Sequence, residues 1–204
     1  MNKFVCTVLL LSGLVSSTWA QVALVPKAGL NLARIAFDQA DNNNTRTRGV
    51  FVGGIGVLIG SPSGLFSLQP EVLFTQKGYQ RAANNRLTIN YIEIPVMGRV
   101  SVGSKQTRGY LEVGPSYGYA IGGKNRGPDG KDINVTFGDG TGQIRRSDWG
   151  LQFGLGFSQR VGTGSLQVEG RYGLGLSNLS HQSESHNRVI SFTVGYAIPI
   201  SSQL

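Results

Sequence analysis

Apolar and polar residues alternate with a period of two along most of the chain. In residues 147–161, Trp149, Leu151, Phe153, Leu155 and Phe157 fall on one face, and Gly150, Gln152, Gly154, Gly156, Ser158 and Arg160 on the other. Residues 190–200 set Ile190, Phe192, Val194, Tyr196 and Ile198 against Ser191, Thr193, Gly195 and Ala197. Residues 66–77, 111–121 and 166–176 repeat the pattern. Period two over such lengths predicts strands with one apolar and one polar face. Three segments are less regular. Residues 25–37 slip phase near Ala33, and residues 50–60 are apolar on both faces. Residues 87–102 change phase near Tyr91 and Ile92, which predicts a bulge.

Eight strands result, and their connections alternate in length. Residues 61–64, 103–108 and 162–164 are short and carry Gly, Ser or Pro, whereas 38–48, 80–86, 122–146 and 180–187 are longer and polar. Within the third long connection, residues 132–137 alternate again and predict a hairpin across a 138–142 turn. Short turns at one end and long loops at the other predict an all-β fold, an eight-stranded antiparallel up-and-down transmembrane β-barrel. A soluble barrel would alternate too, with its polar face in water. Here the polar face is crowded with Gly, Ser and Ala, which suits a narrow lumen. Two aromatic sets, Tyr79, Tyr91, Tyr119 and Trp149 towards the long loops and Phe66, Tyr110, Phe157 and Tyr196 towards the short turns, read as interfacial girdles.

Composition agrees. Of 204 residues 30 are Gly, only 15% are charged and 40% are hydrophobic, which excludes a disordered chain. One cysteine excludes an intramolecular disulfide framework. Residues 1–20 read as a signal peptide: Lys3, an apolar stretch to about Val15, then Thr18 and Ala20 ahead of a cut before Gln21. The barrel domain is then residues 21–204, and Cys6 leaves with the peptide. No later stretch has the roughly 18 consecutive apolar residues of a membrane helix, so closure of a sheet is the way such a chain spans.

Charge separates by position. All six Asp fall in loops or at a strand end, while Glu71, Glu93, Glu112 and Glu169 fall within strands. A carboxylate inside a narrow barrel needs a cationic or hydrogen-bonding partner. The expectation is a luminal network of Lys27, Gln69, Glu71, Glu93, Arg99, Glu112, Gln152, Arg160, Glu169 and Arg171. It would plug the lumen, the alternative being a small-solute or ion pore. Arg46, Arg48, Arg81, Arg86, Arg145, Arg146 and Arg188 gather towards the long loops. There they would meet lipopolysaccharide phosphates, which suit the guanidinium fork.

Other chemistry is thin. His181, Ser183, Glu184 and His186 share the fourth long loop, and their alternative reading is a membrane-embedded lipid hydrolase. No carboxylate follows on the next strand to hold a base against its nucleophile, so no enzyme is expected. Asp129, Asp132 and Asp139 lack a calcium-loop pattern. Gly54-x-Gly56 opens no helix and is not a dinucleotide fingerprint. The net charge of +8 comes without a basic helix or aromatic-basic platform, so nucleic acid is not an expected partner. No cofactor is expected; outer-membrane lipids and envelope proteins are.

Four segments carry a family resemblance: Gln69-Pro70-Glu71 leading to Lys77-Gly78; Tyr91, Glu93 and Pro95; Gly114-Pro115; and Arg171-Tyr172 followed by Gly175, Leu176 and Asn178. Together they resemble the PorT-like outer-membrane β-barrels of Bacteroidetes-type bacteria. The resemblance implies an outer-membrane barrel and leaves the function open, because fold does not fix function. A structural or interaction role in the cell envelope is the expectation.

Overall fold

The computed structural model describes residues 21–37, 45–46, 48–61, 64–81, 85–127, 129–138, 140, 143–177 and 185–200. Its strands are β1 (Gln21–Phe37), β2 (Thr45–Arg46), β3 (Arg48–Gly60), β4 (Phe66–Arg81), β5 (Asn85–Gly103), β6 (Thr107–Arg126), β7 (Asp132–Asn134), β8 (Ser147–Val161), β9 (Gly164–Gly175) and β10 (Ser185–Pro199). Eight of them form an antiparallel ring in chain order, and β1 closes it by pairing with β3 on one side and β10 on the other. β2 and β7 are short additions on β4 and β6 at the long-loop end. Among the described residues there is no helix.

Alternation decides the wall. Phe51, Ile55, Phe66, Leu68, Val72, Ile94, Leu111, Phe153, Leu155, Phe157, Phe192 and Val194 are exposed on the outside, while the polar partners of each strand are buried inside. A surface this apolar is unfavourable in water and matched to lipid tails. Short turns close the other end. In the β8–β9 turn Gly162 has φ = 61°, a conformation that a Cβ disfavours. The Tyr196 hydroxyl fastens this turn, donating to the Val161 carbonyl (2.8 Å) and accepting from the Gly164 N–H (3.1 Å).

Several sequence expectations need correction. Ladders continue past the predicted strand ends at the long-loop side: Gln80 still pairs with Arg86, and β6 has 20 residues. Above the apolar belt the outer face turns polar, so the pattern of apolar residues outside and polar ones inside stops although the hydrogen bonds do not. The hairpin in the third long connection is formed by β6 and β7 across residues 127–131, not across 138–142. The irregularity near Tyr91 is present, but its extra residue is Ile121 of β6: Asn90 pairs with Gly122 and Tyr91 with Ala120. β5 itself keeps its phase, with Leu87, Ile89, Tyr91 and Glu93 all buried. What changes along β5 is the cover over its inner face. Val135, Phe137 and Ile144 fold in from the third long loop and pack on Leu87, Ile89, Tyr91 and Ala120.

The aromatic sets also divide differently. Tyr119, Trp149, Phe66 and Phe157 lie on the outer face. Tyr91 and Tyr110 point into the lumen and belong to neither girdle. The Tyr79 side chain is outside the described part of the structure.

Candidate functional site

The lumen is filled by a continuous set of ion pairs. Arg171 of β9 lies at its centre. Its guanidinium donates two bonds of 2.7 Å to Glu71, on β4 at the opposite side of the ring. It also reaches Glu112 of β6 at 2.6 Å and Glu169 of its own strand at 2.7 Å. Lys27 of β1 bridges Glu71 (2.7 Å) and Glu169 (3.1 Å). Arg99 of β5 bridges Glu112 (2.9 Å) and Glu169 (3.5 Å). Gln69 donates to Glu71, and Thr193 to Glu169. Three cations thus neutralise three carboxylates, and every charge has a bonded partner, as burial requires.

The room for these side chains comes from glycine. A Cβ at Gly154 would lie 2.8 Å from a Glu112 carboxylate oxygen and 3.0 Å from Arg171 Cγ. At Gly156 it would overlap the Tyr110 ring, which lies on its register partner and stacks under the Arg99 guanidinium at 3.8 Å.

A second cluster lies nearer the long loops. Lys77 bridges Glu93 and Asp148 at 3.1 Å each, with Tyr91 5.2 Å below its ammonium. Gln152 donates to Glu93 (3.1 Å), and Asn187 to Asp148 (2.9 Å). Arg171 and Gln152 join the two clusters at 3.5 Å. Beside them Asn31, Thr75, Ser116, Asp148 and Thr193 line a cavity of about 40 Å³, a space on the scale of one or two waters.

Nine of the ten residues expected in the lumen are buried there: Lys27, Gln69, Glu71, Glu93, Arg99, Glu112, Gln152, Glu169 and Arg171. Arg160 is not among them. It is exposed, one residue before the β8–β9 turn, where the inner face opens to solvent. Lys77, Asp148, Gln167 and Asn187 join the network without having been among the ten residues expected there. Lys77 and Gln167 lie on the polar sides of their alternations and carried a usable signal, whereas Asp148 looks like a strand end and Asn187 closes the fourth long connection.

Among the described residues the rim arginines do not form one patch. Arg86 lies on the outer face of β5, and Arg188 is exposed on β10. Arg146 donates to the Ala120 carbonyl at 3.0 Å and stacks on Phe137 at 4.8 Å, so it fastens the loop over the barrel mouth. Arg145 is half-buried. The side chains of Arg46, Arg48 and Arg81 lie outside the described part, as do the side chains of His181, Ser183, Glu184 and His186. Asp139 and Asn178 are also outside it. Among the described residues no group of three or more His, Cys, Asp or Glu is arranged to hold a metal ion.

A closed antiparallel barrel with an apolar belt outside and a paired polar interior is the build of an outer-membrane barrel protein. The chain belongs to the outer membrane protein beta-barrel domain family, whose model matches residues 17–181. Its location is therefore the bacterial outer membrane. Among solved structures it is similar to Neisserial surface protein A, with a TM-score of 0.52 and 13% identity over 85% of this chain and 95% of that one. It is also similar to OprG from Pseudomonas aeruginosa, with a TM-score of 0.47 and 12% identity over 90% and 97%. At such identities the likeness is one of fold. No protein of curated function matches the chain in sequence.

Proposed function

We propose that the protein is a non-conducting outer-membrane barrel with a structural or interaction role in the cell envelope, exported through cleavage before Gln21. The observation that carries this reading is Arg171, which ties β4, β6 and β9 together across the lumen. A solute path would have to break several buried charge-assisted bonds at once, each costly to leave unpaired. The loop residues Val135, Phe137 and Ile144 add an apolar cover above. The Gln69-Pro70-Glu71 and Arg171-Tyr172 motifs support kinship with PorT-like barrels. Gln69, Glu71 and Arg171 of these motifs are members of the luminal network. The test is conductance of the purified full-length barrel in planar bilayers. The expected result is no steps above background; reproducible steps from the unmodified protein would replace this reading with a pore.

A further inference from the structure

The outer face changes character abruptly across one row of the β4–β5–β6 ladder. Phe74, Ile92 and Tyr119 are register partners at the top of the apolar belt. Two residues further, on the same face, the row is Gln76, Asn90 and Gly122, and above it stand Thr88 with Lys124 and Arg86 with Arg126. β7 extends the face with Asn134 beside Lys124 and Asp132 beside Arg126. Two residues of strand rise about 7 Å, so this polar shelf begins immediately above the hydrocarbon.

The bulge makes the shelf cationic. Along β6 up to Ile121 the odd-numbered residues face outward and the even ones inward. An uninterrupted ladder would turn Lys124 and Arg126 into the barrel mouth. The extra residue at Ile121 reverses the alternation. Lys124 and Arg126 then share the outer face with Arg86, while Gly123 turns inward against Val135. Three cations and one carboxylate result. Arg126 is forked to Asp132 (2.6 and 3.1 Å), which leaves Arg86 and Lys124 as the excess charge. These residues line a groove of about 510 Å³ together with Gln76, Asn90 and Asn134.

We propose that this groove binds the phosphorylated sugar headgroup of outer-leaflet lipopolysaccharide. The inference rests on the outer-membrane placement and deepens the interaction role. A guanidinium fork and an ammonium suit phosphate oxygens. The carboxamides of Asn134 and its neighbours suit sugar hydroxyls. The groove's height matches where the headgroup phosphates lie relative to the acyl chains of the same molecule. Neither excess cation points towards the lumen network, so the groove and the plug are separable.

The experiment measures binding of lipopolysaccharide to the purified full-length barrel in detergent, with intact and enzymatically dephosphorylated lipid. Arg86→Gln with Lys124→Gln is expected to weaken binding of intact lipid by roughly tenfold or more, and dephosphorylation to weaken wild-type binding similarly. Asp132→Asn removes the carboxylate and frees Arg126, so it is expected to strengthen binding by a factor of about 2–5. A variant that merely misfolds cannot produce that gain. Arg188→Gln, on the far side of the ring, is expected to change nothing. The proposal is overturned if the double variant binds normally, if dephosphorylated lipid binds as well as intact lipid, if Arg188→Gln weakens binding as much, or if Asp132→Asn weakens it. Displacement of the lipid by equimolar inorganic phosphate would likewise overturn it, by reducing the groove to a site for free anions. Bilayer conductance is indifferent to every one of these outcomes, so the two proposals fail separately.

Discussion

Arg171 and Glu71, 100 residues apart in sequence, join across the lumen through two parallel hydrogen bonds of 2.7 Å. Their strands, β9 and β4, are four places apart in a ring of eight and share no ladder. The contact therefore forms only when the barrel has closed. It acts as a strut across the wall, in contrast to the ladder bonds that run around it.

Removing the cation leaves three buried carboxylates short of a partner. Arg171→Met is expected to destabilise the barrel by about 3–5 kcal/mol, because an uncompensated buried charge costs more than the pair contributes. Adding Glu71→Gln should recover part of that loss, a coupling a double-mutant cycle reads directly. Urea unfolding of the refolded barrel in lipid vesicles is the measurement. Additive effects of the two substitutions would contradict the strut.

Gly156 and Tyr110 make a second coupled pair. The ring lies over the glycine of the neighbouring strand, between it and Arg99. Gly156→Ala is expected to cost about 1–3 kcal/mol, the range for forcing a side chain out of a packed place. In a Tyr110→Ala background the same substitution should cost little, since the ring it displaces is gone. Equal cost in both backgrounds would mean that the strain lies in the backbone.

Periodicity made the wall legible and misjudged its ends. The alternation of Leu111, Val113 and Tyr119 with Glu112, Gly114 and Ser116 reports on lipid against lumen, and in the five regular strands it separates the exposed wall from the buried interior. Where both faces meet water the contrast vanishes. Arg160 was therefore placed inside although the lumen has opened by that point, while Asp148, buried against Lys77, was taken for a strand-end residue. Tyr110 shows a different failure. Its parity with Glu112 already set it inward, but its aromatic character drew it to the membrane girdle. The apparent slip in β5 had a tertiary cause: Leu87 and Ile89 face inward and are apolar because a loop covers them, and no local pattern reveals a cover that arrives from residues 135–144.

The β6–β7 hairpin above the membrane should respond to acid. Asp132 is exposed, and its forked hydrogen bond from Arg126 holds its carboxyl below the ordinary value of 3.8, helped by the charges of Lys124 and Arg86. A carboxyl whose pKa is lower in the closed hairpin than in the open one stabilises the closed form above its ordinary pKa. That contribution disappears as the pH falls through the lowered value. The amides of Gly127 and Val135, bonded to the carbonyls of Lys131 and Gly123, should stay protected from exchange at neutral pH and lose protection below about pH 4. Asp132→Asn should lower protection at neutral pH and remove its dependence on acid, because it has no proton to gain. The effect is confined to this hairpin: in wild-type protein the amides of β8 and β9 around the lumen should not change over the same range. If they exchange together with the hairpin, acid is opening the barrel and the Arg126–Asp132 fork is not the element that senses it.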